Sequence, residues 1–410
     1  MAGNKEGTIP AYTGEAIKVP ASYKPESKGI LVDPFADEKP LFSINAQNMA
    51  QYADKLSDGL KTLMKKYPTF RIDVYPTHRT AHYPKFVIDN TIANATRCKE
   101  VGPEPVNCVA GLPFPIPKTA TQVMWNHQLA FEGASFAGRG GSYFVDSSGK
   151  MVAMGVNDYW WEFPYYAATN TGNTKIHQRT RYDYQEPARS SGEKILLHYK
   201  IDNSPVTVWQ YLPGQRRVKL SPDLNYDTPN PQSGGICTMD ELYLFYGPTD
   251  RYDWKIVGKK EMYIPYNNFQ VYEPQCSAEA SFTANHVNPS CVRYELHRTW
   301  VIEAKLKAGK RNIYGKRMIY LDEDTYNAGL ADNYDNAGKL YREVLQYGIP
   351  QYQDASLGMS GMVFGNYDMQ TGTYLVSNYP SSTIKGRMAF PEKIQDSFLQ
   401  PGALAGSGIR

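Results

Sequence analysis

The sequence predicts an α+β protein: a large curled antiparallel sheet with helices covering its concave face. Three observations lead there. Between about residues 140 and 380, apolar and polar residues alternate in roughly ten runs, most of them joined by short turns. Apolar steps of three and four, the mark of an amphipathic helix, are concentrated in the first third. No fixed-period repeat divides the 410 residues into modules. A sheet of that width must curl and its concave side must be filled, so incomplete filling leaves an apolar cavity between sheet and helices.

Residues 1–43 are rich in Pro, Gly and short polar residues without a sustained period, which predicts an extended arm along the surface. A helix follows, its stripe formed by Met49, Ala53, Leu56, Leu60, Leu63 and Tyr67, with Ser43 or Asn45 as its cap and Pro68 as its stop. Phe70, Ile72 and Val74 alternate as a strand, and Pro84 opens a second helix running to about Arg97. After the Pro-rich GLPFPIP, a short helix spans Lys118 to Leu129. Tyr143–Val145 and Met151–Val156 flank a turn at Asp146–Gly149, and the aromatic run from Tyr159 to Tyr166 comes next. Ile195 to Ile201 leads into a hairpin, VTVWQYLPGQRRVKL, that turns at Pro213-Gly214. Strands centred on Trp254, on Val292–Leu306 and on Asn312–Leu321 follow, and a last hairpin turns at Gly372. Residues 44–380 thus read as a single domain, and 381–410 as a C-terminal tail.

Net charge is only +3, acids and bases are interspersed, and no Lys/Arg run reaches five, which argues against capture of nucleic acid. No apolar run approaches the ~18 to 20 residues of a membrane span. The start, MAGNKEGTIP, has no signal-peptide pattern, and Met1 reads equally well as a start codon placed before a trimmed mature chain.

Five cysteines bear on the compartment. Cys98 and Cys108 bracket one loop, Cys276 and Cys291 another, and both pairs read as loop staples in an oxidising compartment, with Cys237 left over. The alternative is five unrelated buried thiols, because connectivity cannot be deduced from sequence. Neither pair has the spacing of a zinc or thioredoxin-like motif.

The chain holds 32 Tyr, 15 Phe, 13 Met and 6 Trp, side chains that suit an adaptable apolar lining and equally suit a large core. The candidates for ligand contact are Trp125, Trp160, Trp161, Phe163, Trp209, Tyr211, Trp254 and Trp300. Trp160 and Trp161 are adjacent on a strand and so face opposite ways. Asp158 and Glu162 flank that pair, and two carboxylates are what glycoside hydrolysis requires. Acids at strand ends are commonplace, however, and no catalytic residue is assigned. The seven histidines, including His78 and His82, form no H-E-x-x-H, and Asp322-Glu323-Asp324 lacks calcium-loop spacing and reads as a solvated turn. Gly138-Arg139-Gly140-Gly141 reads as a loop without a dinucleotide fingerprint, and Gly358-Met359-Ser360-Gly361 runs on into Met362, not a G-x-S-x-G. Arg216 and Arg217 read as a site for an anionic group or as a solvated strand end. No metal or cofactor is indicated.

Several phrases carry a family resemblance: AGNKEGTIPAYTG, NMAQYADKLSDGLK, VYPTHRTAHYP, PFPIPK with the following WNHQL, WQYLPGQRRV, DRYDWKIVGKKEMYIPYN and KRMIYLDEDTYN. Together they span nearly the whole chain. It resembles an uncharacterised bacterial periplasmic family, domain of unknown function 1329, related to the outer-membrane lipoprotein-sorting proteins of the LolA/LolB type. The resemblance implies one domain, an unclosed β-barrel around a hydrophobic cavity under helices, and a non-enzymatic carrier or chaperone in the periplasm. Its ligand would be a lipid, fatty acyl group or lipidated cargo, and its partners an outer-membrane protein and a resistance-nodulation-division type exporter. The arginine that gates the lid of the lipoprotein carriers has no match here. The competing readings are a glycan- or lipopolysaccharide-associated envelope protein and, further off, a carboxylate-dependent hydrolase.

Overall fold

The computed structural model describes residues 8–11, 19–23, 31–81, 83–352, 358–380 and 394–406. Its strands are β1 (Phe42–Ile44), β2 (Ile72–Val74), β3 (Lys99–Val101), β4 (Glu104–Val106), β5 (Ser135–Val145), β6 (Met151–Glu162), β7 (Ile176–Glu186), β8 (Lys194–Lys200), β9 (Thr207–Leu212) and β10 (Arg217–Leu220). The second half adds β11 (Tyr252–Pro265), β12 (Arg293–Leu306), β13 (Tyr314–Asp322), β14 (Gly329–Asp335), β15 (Leu340–Gln346), β16 (Ile349–Pro350), β17 (Met359–Ser360), β18 (Phe364–Asp368) and β19 (Tyr374–Tyr379). The α-helices are α1 (Asp58–Lys66), α2 (Lys85–Arg97), α3 (Ala120–Gln128), α4 (Ala278–Ser281) and α5 (Pro401–Gly406).

Among the described residues fifteen strands share one sheet, in which the path β11-β12-β13-β14-β15-β18-β19-β5-β6-β7-β8-β9-β10 is antiparallel throughout; β1 and β2 join at the start of β12, where β2 runs parallel. The C-terminal strand β19 pairs with β5 and so zips the two sequence halves together. The free edges, β10 and β11, are consecutive in the chain yet do not pair with each other, so the sheet is unclosed.

The connection between those edges, residues 221–251, turns into the sheet instead of bridging its rim. Its Tyr243 ring lies 5.3 Å from Trp161 on β6 and 5.1 Å from Phe364 on β18. Tyr246 lies 4.8 Å from Tyr199 on β8, and Phe245 lies 4.9 Å from Trp254 on β11. A segment this short touches both ends of the sheet only if the sheet curls around it. The same core takes in Val123, Met124 and Trp125 of α3, and His127 of α3 bonds to the carbonyls of Tyr243 (2.8 Å) and Tyr326 (2.6 Å).

The outer face is covered too. Leu60, Leu63 and Met64 of α1 join Leu330 and Leu345 in a second core, so α1 lies outside and not in the concavity that the sequence suggested for the early helices. It also starts later than expected. Met49–Lys55 forms a 3-10 helix, and the cap is Ser57, whose Oγ accepts from the Leu60 amide, in place of Ser43 or Asn45. Beyond β10's end of the sheet, Ile394, Leu399 and Leu404 pack on Leu196 and Tyr211 in a third core, so residues 394–406 are a cover for β6–β9.

Gly138–Gly141 falls inside β5, where a loop had been expected. A Cβ on Gly140 would come within 3.1 Å of the Asn378 backbone, so this glycine admits a close strand approach. Asp322-Glu323-Asp324 is no solvated turn: its side chains are buried and paired, Asp322 with His297, Glu323 with Lys259 and Arg298, Asp324 with Arg79. Cys98–Cys108 and Cys276–Cys291 are disulfide-bonded, and Cys237 is free and buried.

Candidate ligand-binding site

Between the inner face of β5–β9, β18 and β19 and the 221–251 connection lies a cavity of about 70 Å³. Ile195, Leu197, Val208, Phe364 and Leu375 supply apolar sheet walls, and Leu224, Met239, Leu242 and Tyr243 supply the cover. Tyr182, Tyr184 and Tyr199 line it from β7 and β8. Burial pushes Tyr182 up to about 12 and Tyr184 and Tyr199 further, so all three stay neutral donors across the physiological range. A cavity this small admits a few waters, well short of the ~300 Å³ at which ligand pockets begin.

What limits the space is the cover, and its attachment is specific. Thr238 and Glu241 form a reciprocal capping box that fixes the turn. Asp240 then pairs with Arg317 on β13 (2.7 Å) and Glu241 with Arg342 on β15 (3.0 Å); all four side chains are almost wholly buried. Asn312 adds a hydrogen bond of 3.0 Å to Asp240. The next residues, Leu242 to Tyr246, carry the apolar load. Tyr243 (φ 51°) and Leu244 (φ 76°) are held in the left-handed region, which costs non-glycine residues on the order of 1 kcal/mol or more each. Past the apolar run the chain is tied again, the Gly247 N–H donating to Gln128 Oε1 (3.1 Å) and the Thr249 N–H to Asn203 Oδ1 (2.8 Å), so the cover is a plug held at both ends and strained in the middle.

The eight aromatics picked out from sequence divide between the faces. Trp125, Trp161, Phe163 and Trp300 are buried in the inner core, and Trp254 is half-buried at its β11 edge. Trp160, Trp209 and Tyr211 lie on the outer face beneath residues 394–406, with Trp160 4.9 Å from Phe398. The opposite facing of Trp160 and Trp161 is as the strand alternation requires. None of the eight borders the 70 Å³ cavity; Trp125 borders a smaller void of about 10 Å³ beside His177, which burial pushes down to about 3. The tyrosines and the plug were the residues that sequence reasoning missed. The run LYLFY at 242–246, closed by Gly247-Pro248, was the available signal.

The carboxylates considered for hydrolysis are both engaged on the outer face, Asp158 with Arg139 (2.5 Å) and Glu162 with Arg179. Among the described residues no group of three or more His, Cys, Asp or Glu side chains is arranged to hold a metal ion. His82 lies outside the described residues, and His78 pairs with Glu38 at 2.6 Å. Among the described residues no helix is long and apolar enough to cross a membrane.

A family described as a protein of unknown function, DUF1329, matches residues 43–405. The chain belongs to this family. An uncharacterized protein of Pseudomonas aeruginosa, PA3922, is 36% identical over 417 residues, an alignment that covers all of this chain and 90% of that protein. Among solved structures, a putative outer membrane lipoprotein-sorting protein domain from Vibrio parahaemolyticus matches with a TM-score of 0.47 at 14% identity, over 69% of this chain and 97% of that one. A DUF1329 family protein from Desulfovibrio piger matches with a TM-score of 0.44 at 14% identity, over 66% of this chain and 92% of that one. A LolA superfamily protein from Nitrosomonas europaea gives 0.39 at 11% identity, over 69% and 98%. The family resemblance read from the sequence phrases is thus the one found.

Proposed function

We propose that this DUF1329 protein is a non-enzymatic carrier that holds an apolar ligand against the inner face of its unclosed sheet. The observation that carries the reading is the plug. An apolar segment, Leu242–Tyr246, sits where a ligand would sit, tethered between the two free edges of the sheet and contacting both ends of it. Displacing it converts a 70 Å³ void into a trough with aromatic walls.

The energetics favour such a device. Each CH₂ left in water costs about 0.8 kcal/mol, so a sixteen-carbon chain forfeits more than about 10 kcal/mol outside a membrane. An empty trough of the same lining would carry a similar penalty, which the plug removes by covering the walls until cargo replaces it. Residence in the periplasm and delivery between an outer-membrane protein and a resistance-nodulation-division type exporter belong to the same proposal. The glycan-platform reading loses support because Trp160, Trp209 and Tyr211 lie under residues 394–406 and do not present open faces.

The test is direct. Protein purified from its native compartment without detergent is extracted with organic solvent, and the extract is identified by mass spectrometry. Near-stoichiometric recovery of one class of apolar molecule is expected; no such molecule, together with saccharide binding, would refute the carrier.

A further inference from the structure

We propose that the ligand is an uncharged amphiphile, an apolar body bearing a hydroxyl or carbonyl group, and not a carboxylate, phosphate or ammonium. This rests on the carrier reading and narrows it. The cavity is lined by Asn157, Tyr182, Tyr184, Ser377 and Asn378 among other neutral groups, and among the described residues no Lys, Arg, His, Asp or Glu lines it. That is a property of the site and not of the inner face in general. The same face carries Arg317 and Arg342, but Asp240 and Glu241 occupy them. An anionic head placed in the cavity would be desolvated without a counter-ion, whereas a neutral hydroxyl loses only hydrogen bonds that the site can return.

One polar group is waiting for a partner. Asn157 is 3% exposed, and its Oδ1 is buried with no hydrogen-bond partner among the described residues. Its neighbour across the ladder on β5 is Gly140, whose lack of a side chain admits the Asn378 backbone, and on β7 it faces Tyr184. Whichever way the amide is turned, it carries both donor N–H groups and an acceptor oxygen. Together with the neutral phenols it matches a hydroxyl, an ester or an amide. The apolar walls Ile195, Leu197, Val208 and Leu375 then receive the body of the molecule.

The test compares two molecules that share one acyl chain and differ in the head: 1-monooleoylglycerol and oleate, each titrated at pH 8 into the delipidated full chain. Monooleoylglycerol is expected to bind at least about tenfold more tightly, and Asn157→Leu to weaken it about fivefold while leaving oleate unchanged. Equal or tighter binding of oleate would overturn the uncharged class and leave the carrier reading standing. Binding of neither would overturn the carrier reading itself. Unchanged monooleoylglycerol binding in a folded Asn157→Leu would remove the polar head from this site and refute the proposal. Because the two wild-type titrations decide the class, a variant that fails to fold does not rescue it.

Discussion

Removing Asp240 should unclamp the plug and expose how much of the stability rests on it. Arg317 is 0% exposed and Asp240 3%, and their 2.7 Å contact joins the plug to β13. Asp240→Ala leaves a guanidinium buried without its carboxylate. A truncation of that kind costs about 3–5 kcal/mol, most of it the stranded charge and not the lost attraction. Replacing both partners, as in Asp240→Ala with Arg317→Met, removes the stranded charge and should restore most of that loss, giving a coupling energy of a few kcal/mol in a double-mutant cycle. Urea unfolding at pH 7 measures the global term. Hydrogen exchange of residues 236–246 measures the local one and should show lost protection in the single variant ahead of the sheet strands. A single variant within about 0.5 kcal/mol of wild type, with unchanged exchange in that segment, would refute the clamp.

Other parts of the molecule give independent readouts. Burial lowers the His297 imidazole, but the carboxylates of Asp322 (3.3 Å) and Glu295 (3.1 Å) outweigh it and raise it from an ordinary value near 6.5 to about 9. Since its folded value lies above the unfolded one, its contribution is full below about pH 6.5 and is lost as pH rises through about 9. The unfolding free energy from urea titrations should therefore fall over that window, by on the order of 3 kcal/mol, and His297→Gln should flatten the slope. Deleting residues 394–410 should uncover Trp160 and Trp209, shifting tryptophan emission to the red and lowering the thermal midpoint; an unshifted spectrum would contradict the outer cover. Replacing Cys276 and Cys291 by Ser opens a loop with a sequence separation of 15 and should cost about 3 kcal/mol in denaturant titrations.

The period-two runs and short turns exposed most of the sheet, but β7, β14 and β15 escaped notice for a physical reason. Their alternation is written in charge: Arg181 on β7, Asp332 on β14, Arg342 and Glu343 on β15 are all buried, where a pattern reader expects apolar side chains. Arg181 meets Asp183 and the Phe398 carbonyl; Asp332 and Glu343, opposite each other, accept bonds from Asp58, Gly59 and Ser57 at the start of α1. For Asp332, Glu343 and the Arg181–Phe398 bond, partners hundreds of residues apart leave no local trace. Asp322–Asp324 misled in the same way, since Arg79, the partner of Asp324, is 245 positions away. The cavity was legible only as a need, because its cover is a loop with no period.

The two faces of the sheet differ in how they are closed, and on the carrier reading the difference decides where a ligand can enter. The outer cover over β12–β19 is fastened by the β1–β2 pairing, by the start of α1 on Asp332 and Glu343, and by a segment stapled at Cys276–Cys291. The inner cover has two ion pairs, a capping box, bonds from Tyr243, Tyr246 and Gly247 to His127 and Gln128 of α3, and a stretch of left-handed backbone at Tyr243 and Leu244. Strain at those two residues is relieved only when the segment leaves, so it lowers the free energy of opening while the ion pairs raise it. On the carrier reading, a ligand that competes for the apolar walls needs to displace Leu242–Tyr246 and break its bonds to His127 and Gln128, and can leave the Asp240 and Glu241 clamp in place. Opening then amounts to a hinge about residues 238–241, with the sheet unchanged and its two edges still apart.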